Sequence, residues 1–384
     1  MSDRLDPSLF LKDLLKIPSP SGHEEKIATY LKNFLSNHKF QILPSKMGNV
    51  IGIRGQGHPI LLLASHMDTV PGGESYCEEG DKISCRGATD CKPSWASIFY
   101  SAATYEAGSF NGTIIVAGLI QEEVSLIGVE DLFKVLEENG LFPDAAVFGE
   151  PTIIDRICVG YRGRLALKVE GTTSGGHSSS PWEYDNLIEL NQKFYSQIQI
   201  YCQQINSNAT EKGRFAEITA TMTSIHAGEL DNSLPSTLNS TIDIRIPPSI
   251  SSLKLIKKIE NIFNEIKGQV QQSDDTTFKF TILFNYDAVE VESDAPVLSA
   301  FRWAGFQVLK KKPSLVKKTG STFTNLIQAH YISQNPKFRC ITYGPGDPRL
   351  EHTDKEFISL QEYLNSIEIY KKFYPKFVEI FQKS

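Results

Sequence analysis

Apolar residues follow two rhythms along the first 160 positions. Leu5–Lys16 and Glu24–Leu35 place them three and four residues apart, which predicts amphipathic helices. Asn49–Ile53 and Ile60–Ser65 then read as short strands, followed by a helix over Pro93–Glu106 and a strand over Thr113–Ile120. A helix over Val129–Asn139 and a strand over Ala145–Phe148 complete the series. Continuously apolar strands separated by helices predict a mostly parallel sheet covered on both faces. From about Gly163 the rhythm changes. Leu165, Leu167 and Val169 alternate with Ala166, Lys168 and Glu170, a period-two strand with one wet face. A helix from Asn186 to about Ile205, strands near Ala216–Ser224 and Leu238–Ile246, a helix over Leu253–Ile266 and a strand over Phe278–Phe284 follow. That order describes a small α+β sandwich. After about Asp287 helices and strands alternate again, ending in a helical tail over Leu360–Gln382.

The predicted organisation is an α/β domain, residues 1–162 and 287–384, interrupted by an inserted α+β domain, residues 163–286. A length of 384 residues agrees with two or three domains at about 150 residues each. Acidic residues outnumber basic ones by 45 to 39, for a net charge of −6, which argues against a nucleic-acid binder. No apolar run approaches the roughly 18 residues of a membrane span, and the first residues carry no basic cap before an apolar stretch. Six cysteines without CxxC spacing read as reduced thiols of a cytoplasmic protein.

Chemistry gathers where strands end. Ile60–Ser65 runs into His66 and Asp68, Thr113–Ile120 into Glu122 and Glu123, and Ala145–Phe148 into Glu150. Cys340–Tyr343 leads towards His352, and Asp90 stands just before the Pro93 helix. Ligands of open α/β sheets bind at the carboxyl ends of strands. Any one such His or Glu is more often a surface or capping residue. Several carboxylates converging on one rim, however, repel each other unless a cation neutralises them. Mixed His and carboxylate donors suit zinc or a similar divalent ion, and a shared aspartate suits two ions roughly 3.5–4 Å apart.

The stretches Ser65-His66-Met67-Asp68-Thr69-Val70-Pro71-Gly72, Arg86-Gly87-Ala88-Thr89-Asp90-Cys91-Lys92, Gln121-Glu122-Glu123 and Gly149-Glu150-Pro151-Thr152 carry a resemblance. So do Gly176-His177-Ser178-Ser179-Ser180-Pro181 and Tyr343-Gly344-Pro345-Gly346-Asp347 through Glu351-His352-Thr353. Together they resemble the dizinc family of N-acetylornithine deacetylase, succinyl-diaminopimelate desuccinylase, acetyl-lysine deacetylase and related aminoacylases and carboxypeptidases. Gly160-Tyr161-Arg162-Gly163 and the Lys318-Thr319-Gly320 loop look most like the lysine- and ornithine-releasing branch.

The resemblance implies two divalent ions, zinc with cobalt or manganese as alternatives. His66 and Glu150 would hold one, Glu123 and His352 the other, and Asp90 would bridge them. Asp68 would fix the His66 tautomer, and Glu122 would act as general base. His177, otherwise a surface histidine in a Gly/Ser-rich loop, would reach the active site of the other subunit in a homodimer. Arg245, Asn232 and Gly320 would contact the substrate, Arg245 being otherwise an edge-strand ion pair. The implied activity is removal of an N-acyl group, acetyl, succinyl or glutamyl-type, from a small-molecule or carrier-linked amino acid, lysine or ornithine. A di- or tripeptidase or carboxypeptidase with the same centre is the alternative. Two positions depart from the pattern: Pro93 replaces a glycine after Lys92, and Phe323 stands where relatives carry an acid that would meet a cationic side chain. His23, His38, His58, His226 and His330 read as structural.

Overall fold

The computed structural model describes residues 6–106, 110–270 and 276–383. The chain divides into two compact units, one of residues 1–160, 291–317 and 322–384, the other of residues 161–290 and 318–321. Nothing in the hydrophobic rhythm marks the four-residue return at Lys318–Ser321.

In the first unit, seven strands of the large sheet lie in the order Gln41–Leu43, Val50–Gly55, Thr113–Leu119, Ile60–His66, Ala145–Gly149, Arg339–Thr342, Arg156–Tyr161. The central four are mutually parallel. Antiparallel strands flank them on each side, so the sheet is mixed. The strand Ile60–His66 is buried at every position, as its uninterrupted apolar run requires. Its alternate side chains enter separate cores. Leu61 and Leu63 pack with the helices Pro7–Leu15, Glu25–Asn37, Lys92–Thr104, Pro296–Leu309 and Leu360–Phe381. Leu62 and Ala64 pack with Ile127–Glu138 and Phe323–Ile332 on the opposite face. Pleating makes this division unavoidable, because successive side chains point to opposite faces. The first predicted helix begins at Pro7 behind an Asp6 cap; Leu5 lies outside the described residues. Pro93 sits in the first turn of Lys92–Thr104, where its missing N–H costs nothing.

The second unit has a four-stranded antiparallel sheet in the order Thr219–Ala227, Thr237–Ile246, Gly163–Thr172, Thr277–Tyr286. Two helices, Leu187–Asn208 and Ser252–Lys267, share one core with Leu165, Leu167, Val169, Ile242, Ile244 and Ile246. The βαββαβ order and the one-sided helices give the split βαβ architecture. Among the described residues no helix is long and apolar enough to cross a membrane.

Candidate metal centre

Because the central strands are parallel, their carboxyl ends form one rim, and the candidate residues of the first unit collect there. His66 ends its strand, Glu150 follows Gly149, and Glu122 and Glu123 follow Leu119 by three and four residues. Asp90 and His352 arrive on loops. Two sets of donor atoms lie within 4.8 Å of one another: His66, Asp90, Cys91 and Glu150 in the first, and Asp90, Glu123 and His352 in the second.

Asp90 belongs to both. Its Oδ1 lies 3.2 Å from His66 Nε2 and its Oδ2 lies 3.2 Å from His352 Nε2. His66 Nδ1 donates to the main-chain oxygen of Asp68 at 2.9 Å, with the Asp68 carboxylate farther away at 3.4 Å. That bond places the proton on Nδ1 and leaves the Nε2 lone pair facing Asp90 and, at 3.7 Å, Glu150. Lone pairs aimed at carboxylates repel unless a cation or proton lies between them. His352 Nε2 is likewise 2.9 Å from Glu123. Hydrogen bonds to Asp90 and Glu123 push this imidazole up to about 10 despite partial burial. The donor set therefore fits two divalent cations: two imidazoles and three carboxylates, one of which, Asp90, offers an oxygen to each side.

Glu122 stands apart from both sets, its Oε1 accepting from Phe323 N at 3.3 Å. Its carboxyl is pushed up to about 8. Burial is the largest cause; His66 opposes it, and the charges of Glu123, Asp68 and Asp90 add to it.

Asp68 turns out to organise the rim more broadly than its role beside His66 suggests. Its carboxylate accepts from Glu122 N at 3.0 Å, Glu123 N at 3.3 Å and Ser21 Oγ at 2.7 Å. Gln121, just before, adopts a left-handed φ of 55°, a costly backbone state for a non-glycine. Glu24 Oε1 accepts its N–H at 3.2 Å. Ser21 and Glu24 thus fix the turn that presents Glu122 and Glu123. Sequence reasoning passed over both, because nothing in a Ser-Gly-His-Glu loop marks its distant partners.

Cys91 is a buried free thiol whose sulfur lies in the first donor set. Ser65 Oγ donates to Gly149 O at 2.7 Å and lies 3.0 Å from Cys91 Sγ, which is also 3.5 Å from His66 O. Burial pushes that thiol far above its ordinary range.

The remaining candidates lie in the second unit. His177 Nδ1 accepts from Ser179 N at 3.1 Å, so the ring proton sits on Nε2, on an exposed imidazole. The short pairing of Gly176–His177 with Ser233–Leu234, and the bond from Ser178 N to Asn232 O at 3.0 Å, bring His177 and Asn232 onto one loop pair. Arg245 Nε donates to Asp243 at 2.7 Å and its Nη1 to Ser321 Oγ at 3.1 Å, joining it to the exposed loop of Gly320. Phe323, expected in the pocket, has its side chain buried near Phe148, and only its main-chain N–H meets Glu122. Of the histidines read as structural, His58 pairs with Asp144 at 2.6 Å and His330 stacks on Phe133.

The chain is similar to proteins already characterised. A LysW-lysine/LysW-ornithine hydrolase of Saccharolobus islandicus is 30% identical over 364 residues, covering 94% of this chain and 92% of that protein. An M20 family metallo-carboxypeptidase of Sulfolobus solfataricus shares the fold with a TM-score of 0.79 at 16% identity, over 97% of this chain and 99% of that one. A dinuclear metal binding peptidase from the M20 family of Bacillus subtilis does so at 0.70 and 14%, over 96% of each chain. Residues 62–376 match peptidase family M20/M25/M40, and the chain therefore belongs to that family and is a hydrolase of amide bonds.

Proposed function

We propose that the protein releases lysine or ornithine from an N-acyl precursor, with the amino acid linked to a carrier or to a small acyl group, at a centre of two divalent ions. His66 and Glu150 would hold one ion, Glu123 and His352 the other, and Asp90 both; zinc suits these donors, and cobalt or manganese can substitute. When bound, the ions would polarise the amide carbonyl and acidify the attacking water. Glu122 takes the proton from that water at its carboxylate and delivers it to the departing amine. Asp68 keeps the His66 proton on Nδ1 and holds the amides of Glu122 and Glu123 in place.

The reading extends to a homodimer acting in the cytoplasm. The partner subunit's His177 donates its Nε2–H to the oxyanion of the tetrahedral stage. Arg245, with Asn232 and Gly320, receives the substrate carboxylate, for which a guanidinium is suited. The strand Thr219–Ala227 supports the dimer: it lies at the sheet edge, mostly exposed, with Ile225 facing out. Unpaired edge strands are natural pairing surfaces.

The observation that carries the proposal is Asp90, whose two oxygens face two separate imidazole–carboxylate sets. Its similarity to the Saccharolobus enzyme supports the choice of amine. A panel of carrier-linked, N-acetyl and N-succinyl lysine and ornithine, run beside di- and tripeptides, tests it by free amine released. The highest kcat/KM falls on a lysine or ornithine conjugate; a higher value on peptides would favour the peptidase alternative instead.

A further inference from the structure

Glu356 lies four residues beyond His352, outside every motif described above, and is 2% exposed. Its Oε2 accepts three main-chain donors: Gly87 N at 2.9 Å, Thr89 N at 3.1 Å and Asp90 N at 3.3 Å. Three amides converge on one oxygen because Gly87 takes a left-handed φ of 82°, which folds the loop into a concave nest. The other oxygen, Oε1, pairs with the Arg86 guanidinium. Arg86 Nη1 also donates to Thr353 O at 2.8 Å, and Thr89 Oγ1 to Phe357 O at 2.9 Å. One buried carboxylate therefore ties the loop of Asp90 to the segment of His352.

That segment needs holding. His352 itself has a left-handed φ of 61°, and its side chain is half exposed, so little packing fixes it. A non-glycine in that region is strained and persists only where surroundings over-determine it. The contacts of Arg86, Thr89 and Glu356 across residues 353–357 supply that constraint.

We infer that Glu356, acting with Arg86, is a positioning residue for the metal centre, and that it governs the Asp90/Glu123/His352 set more than the His66/Asp90/Glu150 set. The inference rests on the two-ion reading proposed above. The asymmetry follows from connectivity. Asp90 and His352, two of three donors in the second set, are fastened through Glu356 and Arg86. In the first set only Asp90 is, since His66 ends its strand with Nδ1 held by Asp68 O, and Glu150 directly follows a strand. An amide in place of the carboxylate fails in either orientation, because its NH2 must face the guanidinium or the three N–H groups.

The test is stepwise metal titration of purified, EDTA-stripped full-length protein with Zn(II) by calorimetry and Co(II) by visible absorbance, comparing wild type with E356Q and R86K. Loss of such outer partners typically weakens metal affinity 10–100-fold. The expected result is that weakening for one equivalent, with the other changed less than about fivefold. R86K keeps a charge beside Glu356 but loses the fork to Thr353, and it answers the question if E356Q does not fold. Two equivalents bound as tightly as in wild type, or both equivalents weakened alike, would overturn the inference. Wild type binding fewer than two ions would instead remove the two-ion reading itself.

Discussion

Replacing Asp68 by alanine perturbs the rim at its most connected point. The carboxylate is 1% exposed and accepts two main-chain amides and the Ser21 hydroxyl while facing His66. Ser21 can rotate to another acceptor, so the cost falls on the amides of Glu122 and Glu123. A buried donor left without a partner costs about 1–3 kcal/mol, giving roughly 2–6 kcal/mol for the pair. Both residues are partly exposed, so water relieves some of this and about 2–4 kcal/mol is the expected loss. A domain stable by about 5–15 kcal/mol remains folded. Function should suffer more than stability, since the turn carrying Glu122 and Glu123 loses its anchor and His66 loses a neighbour. The expected metal affinity falls about 10–100-fold. Urea unfolding of the stripped protein, metal titration and hydrogen exchange at the Glu122 and Glu123 amides measure the three effects. Unfolding free energy within 0.5 kcal/mol of wild type, with exchange at those amides unchanged, would refute the reasoning.

Four other substitutions probe separate links. Glu122→Gln keeps the acceptor for Phe323 N but removes the base, so kcat falls by about 10²–10⁴ while the metal content, read by elemental analysis, is retained. Arg245→Ala raises KM about tenfold or more with a smaller change in kcat, as loss of one charged contact worth about 1.5–3 kcal/mol requires; an unchanged KM would remove Arg245 from the substrate site. Mixing inactive His177→Ala with inactive Glu122→Gln restores about a quarter of wild-type activity, because half the dimers are mixed and each has one intact site. No recovery after verified subunit exchange would contradict the shared site. Gly87→Ala forces a β-carbon into a left-handed residue, 2.9 Å from Thr69 Cγ2, and should lower the melting temperature and weaken metal binding together.

Strand ends and their chemistry were legible because a parallel sheet converts sequence order into spatial convergence. His66, Glu123 and Glu150 meet at one rim for that reason, and loops bring Asp90 and His352 to it across as many as 286 residues. The antiparallel pairing of Val50–Gly55 with Thr113–Leu119 was not legible, since a buried strand reads the same in either direction. Supporting residues were also hidden. Glu24 and Glu356 accept main-chain amides, which carry no side-chain signature, while Ser21 and Arg86 reach the Asp68 carboxylate and the Thr353 carbonyl, partners far away along the chain. Phe323 shows the opposite failure. Aligned motifs place it in a pocket, yet packing turns its ring into the core near Phe148 and leaves only its backbone at the site.

The central claim is that two ions, shared through Asp90, make this protein an amide hydrolase. Adding Zn(II) stepwise to stripped enzyme while recording amine release from a lysine conjugate tests it most directly. Activity should be absent without metal and reach its plateau at two equivalents per chain. Full activity in metal-free protein, or a plateau at one equivalent, would contradict the account.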